Sequence, residues 1–179
     1  MKKNLTGILS VLLLLVLSLT TVSCADKDDT PDGMQNVSIS TVNFDLFVPE
    51  SWISQAESGI SGARVSNTDT SNVTVTAYMP DAVMTVEEYW NSFCLPEYQN
   101  GVLKDFTVME EQCGDTTLGG KNAKTYVFLY TVDGKTYESM QIITVKDDIL
   151  YTLTYTAESS VYSTHLETVE SIRSNFRFR

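Results

Sequence analysis

The segment YVFLYTV-DG-KTYESMQIITVK-DD-ILYTLTYT, Tyr126 to Thr156, decides the fold. It holds three β-rich runs, Tyr126 to Val132, Thr136 to Val145 and Ile149 to Thr156, separated by Asp133-Gly134 and Asp147-Asp148. An Asp-Gly pair between two such runs is a strong hairpin signal, because both central residues of the tight turn must take positive φ. If each acidic pair is a two-residue loop, the register is fixed. Val132 then opposes Lys135, Tyr130 opposes Tyr137, Ile142 opposes Leu153 and Met140 opposes Tyr155. Side chains alternate along a strand, so register assigns faces. One face carries Val127, Leu129, Met140, Ile142, Tyr151, Leu153 and Tyr155. It is the drier one and should be covered by a helix. The other carries Tyr126, Phe128, Tyr130, Tyr137, Gln141, Ile143, Thr152 and Thr154. It is aromatic but partly polar, either covered by a second helix or partly open.

Outward from this segment, a helix is expected from about Ser160 to Asn175, with Tyr162, Leu166, Val169, Ile172 and Phe176 as its apolar stripe. Upstream, Thr85-Val86-Glu87-Glu88 is a capping box that starts another helix, ending before Pro96 or near Gln99-Asn100-Gly101. Val86, Tyr89, Trp90, Phe93 and Cys94 would form its core-facing stripe. Asn43 to Pro49, Ala63 to Ser66 and Val73 to Met79 are further strands, with Trp52 packing back on the core. The fold class that follows is α+β: an antiparallel sheet of about six to seven strands with helices on both faces.

The first 23 residues read as an export signal. Lys2 and Lys3 open it, Ile8 to Leu19 is apolar apart from Ser10 and Ser18, and Thr21-Val22-Ser23 precedes Cys24. The run is shorter than the roughly 20 apolar residues a spanning helix needs. A cysteine after small residues resembles a bacterial lipobox, with Thr21 where that motif ordinarily has leucine. The resemblance implies that Cys24 receives lipid (a palmitate-type acyl group) and becomes the mature N-terminus, so the protein is anchored to the cell membrane on its extracytoplasmic face. Residues 24–36 read ADKDDTPDGMQN after the cysteine, too polar to bury a core, and are expected to be a disordered acidic tether. A single domain then runs over 37–179. Loss of Lys2 and Lys3 makes the formal net charge of −11 more negative by two. Such a balance argues against nucleic acid, whose phosphates require Lys and Arg, and against charge-driven adhesion to anionic headgroups.

The order of the pieces resembles the PsbP-like family. Phe47-Val48-Pro49-Glu50-Ser51-Trp52 opens it. A capped helix stands in the middle, and Leu118-Gly119-Gly120-Lys121-Asn122-Ala123 leads into the Tyr126 strand. The Asp-Gly hairpin, Tyr151-Thr152-Leu153-Thr154-Tyr155 and a helix ending Ser174-Asn175-Phe176 complete it. The resemblance spans most of Val37 to Arg179. It implies an α/β/α sandwich, shared with a nuclear import factor that binds the GTPase Ran, and a non-catalytic accessory or binding role. No residues here match the ion-linked role of the plant member, so no photosynthetic function is implied.

The residues themselves offer little chemistry. His165 is the only histidine, and no Gly-x-Ser-x-Gly elbow accompanies it. One His and two thiols without metal-ligand spacing give no metal site, and Gly119-Gly120-Lys121 lacks the full phosphate-loop spacing. Glu110, Glu111 and Asp115 form no arguable carboxylate pair. No catalytic residue, metal or cofactor is therefore assigned. Cys94 and Cys113 remain as an even pair, which can form one disulfide or pack as two small hydrophobes. Tyr130 and Tyr137, opposed at the hairpin end, are a candidate contact surface. The expected function is that of a membrane-anchored binding module whose partner is an envelope protein or a small ligand. The alternative is an extracytoplasmic hydrolase with an unrecognised site.

Overall fold

The computed structural model describes residues 29–55 and 60–179. The signal segment and Cys24 lie outside the described residues. Among the described residues twelve strands are formed: β1 (Met34–Asn36), β2 (Phe44–Asp45), β3 (Phe47–Pro49), β4 (Ile53–Ser54), β5 (Ser61–Arg64), β6 (Asn72–Tyr78), β7 (Lys104–Val108), β8 (Gly114–Leu118), β9 (Lys121–Val132), β10 (Lys135–Lys146), β11 (Ile149–Glu158) and β12 (Arg177–Phe178). The main sheet is antiparallel in the order β4-β5-β6-β11-β10-β9-β7, and β8 pairs with β9 as well. β7 meets Phe128 to Thr131 and β8 meets Lys121 to Thr125, so these two short strands share one long neighbour.

The two acidic turns set the register anticipated from them. Val132 pairs with Lys135, Tyr130 with Tyr137, Ile142 with Leu153 and Met140 with Tyr155. Asp133 and Gly134 take φ of 50° and 79°, and Asp147 and Asp148 take 52° and 62°. Positive φ at both central positions turns the chain with the twist of the strands it joins.

The drier face is the main core. Val127, Ile142, Tyr151, Leu153 and Tyr155 pack there with Val73 and Val75 of β6, and with Val169 and Ile172 of the C-terminal helix, Leu166–Asn175. A 3-10 turn, Tyr162–His165, precedes that helix where a continuous helix from Ser160 was expected. Phe44, Leu46 and Val48 close the same core. Expected as one strand, their segment is split at Leu46: β2 pairs with β12 and β3 with β1.

The pairing of β1 corrects the expected tether. Met34–Asn36 is ordered against Phe47–Pro49, and the Gln35 side-chain amide donates to the carbonyls of Pro49, Glu50 and Trp52. A polar composition does not keep a segment unstructured when a neighbouring strand offers unpaired backbone groups.

The second face is half covered. The central helix begins at Val86, where Thr85 Oγ1 accepts from Glu88 N at 3.1 Å and Glu88 Oε2 accepts from Thr85 N at 2.7 Å. It then runs past Pro96 and ends at the second of the two expected places, near Gln99-Asn100-Gly101. The chain widens to a π turn over Trp90–Cys94 and again over Tyr98–Val102, and Gly101 at φ 106° ends it. A wider turn accommodates a residue that lacks an N–H and crowds the preceding turn. It also shifts the stripe: Trp90 and Cys94 are buried, while Phe93 is exposed rather than core. The helix covers Phe128, Ile143 and Leu150, whereas Thr74, Thr76 and Thr154 on the β6–β11 side of that face are not fully buried.

Candidate functional site

A cleft of about 650 Å³ opens between the central helix and the β7–β9 edge of the sheet. Trp90, Asn91, Leu95 and Gln99 come from the helix, Phe106 and Val108 from β7, and Lys124 and Tyr126 from β9. Its size lies in the range of small-ligand sites, and its lining mixes the rings of Trp90, Phe106 and Tyr126 with polar side chains such as Asn91, Gln99, Glu110 and Lys124. The indole of Trp90 stacks on Tyr126 with centroids 4.0 Å apart and planes 5° apart. Behind it, Tyr98 packs on Phe106 and Phe128 at 5.6 and 5.2 Å. Gln141 Nε2 donates to the Tyr98 hydroxyl at 3.0 Å under the helix.

Charge gathers at one rim. Lys124 Nζ lies 2.9 Å from both Glu87 and Asp115. Hydrogen bonds to Asp115 and then to Glu87 hold the lysine above its usual range, and the bond to Lys124 holds Glu87 below the usual carboxylate range. Glu110 lies on the cleft wall in a 3-10 turn, Glu110–Gln112, while Asp115 is in β8. The cleft therefore presents a mixed aromatic and polar lining with a clamped lysine at its edge.

The two thiols have different surroundings. Both are free, so the disulfide considered from the sequence is not formed. Cys113 lines the cleft and accepts from Val127 N at 3.4 Å. Cys94 is buried beneath the helix, where desolvation pushes its thiol up to about 11 in spite of hydrogen bonds with Tyr89 and Tyr98. Thiolate is the reactive form. In the native protein a maleimide should therefore modify Cys113 readily and Cys94 only after denaturation. Peptide mass mapping of the labelled protein checks this. Equal native reactivity, or no reactive thiol at Cys113, would contradict it.

His165 belongs elsewhere. Its Nε2 lies 2.8 Å from Asp69 Oδ2 and its ring stands edge-on to Trp52 at 6.2 Å. The Ser71 backbone N–H also donates to Asp69, at 3.0 Å. Burial works to raise the Asp69 carboxyl, but the bonds from Ser71 and His165 outweigh it and hold the group below its ordinary value. This pair shares no residue with the cleft and ties the segment after β5 to the start of the C-terminal helix. Among the described residues no group of three or more His, Cys, Asp or Glu stands together as a metal cage.

Tyr130 and Tyr137 are cross-strand neighbours, with rings 5.8 Å apart and 21° from parallel. Both are half-buried. Tyr130 also packs on Phe128 at 6.0 Å, so this pair continues the aromatic row of the cleft toward the hairpin end. Sequence reasoning missed the cleft because its β7 wall, KDFTV, alternates too weakly to declare a strand.

An antiparallel sheet with a helix packed on each face is the architecture of the Mog1p/PsbP-like fold. The chain has that fold, as three solved structures show. Cyanobacterial PsbP (CyanoP) from Synechocystis sp. PCC 6803 matches over 88% of this chain and 98% of its own, with TM-score 0.60 and 14% identity. The Ran-binding protein Mog1p of Saccharomyces cerevisiae matches over 81% of this chain and 95% of its own, with TM-score 0.56 and 10% identity. LpqN of Mycobacterium tuberculosis, a protein involved in cell envelope biogenesis, matches over 75% of this chain and 82% of its own, with TM-score 0.54 and 19% identity. No model of a known protein family matches the sequence, and no curated protein does. Among the described residues no helix is long and apolar enough to cross a membrane.

Proposed function

We propose that the protein is a lipid-anchored, extracytoplasmic binding module of the cell envelope, held to the membrane through Cys24 and non-catalytic. The cleft between the central helix and β9 carries this reading. It offers a ligand-sized aromatic surface, while the only histidine is engaged with Asp69 outside it. The occupant is an envelope protein segment or a small ligand, with the Tyr130 and Tyr137 rings extending the contact surface beyond the cleft. The fold shared with a protein of cell envelope biogenesis supports the same direction.

Two measurements test it. Metabolic labelling with a fatty-acid analogue should mark the wild-type chain, and the mark should vanish in Cys24→Ala. Label that survives the substitution rules out this anchor. For binding, a photocrosslinking residue is placed at Gln99, on the cleft, and in a second protein at Ser159, away from it. Irradiated envelopes should give adducts from position 99 alone. Equal adducts from both positions, or none, would reject the cleft as the binding surface.

A further inference from the structure

The loop after β6 carries apolar side chains that the fold leaves uncovered. Met79 is 70% exposed and Val83 75%. Behind them Tyr78, Tyr89 and Phe93 form a stack on the surface, with successive centroids 5.8 and 6.0 Å apart. Exposed apolar side chains gathered in one loop are candidates for a contact site.

The position of the first described residue indicates what covers it. Asp29 pairs with Arg177 at 3.6 Å. Next to Arg177, the Phe178 ring packs on Tyr151 at 4.8 Å and lies 5.5 Å from Lys146 Nζ. Tyr151 is paired with Ala77 and Leu150 with Tyr78. Asp29 and the 79–84 loop therefore leave the same end of the sheet, the end bearing the Asp147–Asp148 turn. Four residues, 25–28, separate Asp29 from Cys24, and the five Cα–Cα steps between them span at most about 18 Å.

We propose that the Met79–Val83 loop is a second membrane contact, inserting its apolar side chains into the bilayer that holds the lipid of Cys24 and so fixing how the domain stands on the surface. This rests on the reading of Cys24 as lipidated. The contact is apolar rather than electrostatic. Asp81 lies within the loop between Met79 and Val83, Glu87 and Glu88 follow it, and at this end Lys124, Lys146 and Arg177 are each paired with a carboxylate. A zwitterionic bilayer is accordingly sufficient, and salt should not release the loop.

The test uses full-length Val83→Trp, purified from membranes and reconstituted in phosphatidylcholine vesicles with and without brominated acyl chains. Trp52 and Trp90 are buried, so wild-type protein supplies their background. The added emission should be quenched by about half or more, as expected for a side chain seated at the headgroup–acyl boundary. The same substitution at Thr136, an exposed position beside the Asp133-Gly134 turn at the opposite end, should show no quenching. If the protein sediments with vesicles but Val83→Trp is unquenched, or Thr136→Trp is quenched instead, the loop contact is wrong while the anchor stands. If the wild-type protein does not sediment with vesicles, the anchor reading fails and takes the loop contact with it.

Discussion

Trp90→Ala is expected to lower the unfolding free energy by about 3–5 kcal/mol, the range for truncating a buried aromatic. Trp90 is 4% exposed. It holds the central helix to the sheet by stacking on Tyr126 at 4.0 Å and packing on Phe128 at 6.0 Å. The capping box and the π turns cannot replace that contact, because helix stability in a protein comes mainly from the packed face. Urea denaturation followed by circular dichroism measures the loss. The same variant should change the rate of Cys113 labelling, since Trp90 and Cys113 line one cleft. A loss below about 1 kcal/mol would show that the indole is not the helix's anchor.

Phe44→Ala should cost a similar amount, about 3–5 kcal/mol, on the opposite face. Phe44 has no exposed surface. Its ring meets Phe176 at 5.3 Å and stands edge-on to Tyr151 at 6.1 Å. Its strand pairs with β12, so the cavity would loosen the chain terminus too. Amide exchange at Arg177 and Phe178 should rise, while Cys113 labelling in the native state stays at the wild-type rate. If Cys113 labelling rose as it does in Trp90→Ala, the two faces would be coupled through the sheet rather than separate packing units.

Much of the sheet was legible because its determinants are local. Asp133-Gly134 and Asp147-Asp148 each tolerate the positive φ that a two-residue turn requires, and a turn of known length leaves one register. The register then sorted Leu153 from Thr154 and Ile142 from Gln141 by face. Thr85 and Glu88 cap each other across one turn, so that helix start was equally local. Its end was left between two places, before Pro96 or near Gln99-Asn100-Gly101. Pro96 signals a stop in an α-helix, and only packing of Trp90 and Cys94 on Phe128 and Ile143 favours the widened turns that carry the chain past it. Phe93 was misplaced for the same reason.

By itself the sequence determined the β-hairpins and their faces and the two helix sites, since each depends on residues a few positions apart. The tertiary structure decided the rest. β1, β7 and β8 are short and weakly patterned, and they form because β3 and β9 present open edges whose backbone groups require partners. His165 acquires its role from Asp69, 96 residues earlier. The cleft exists only where helix, β7 and β9 meet, and Asp29 lies at the end of the sheet that bears the exposed loop because β12 brings Arg177 to it. Contacts between residues distant in sequence arise from burial of the whole core, and no local pattern encodes them.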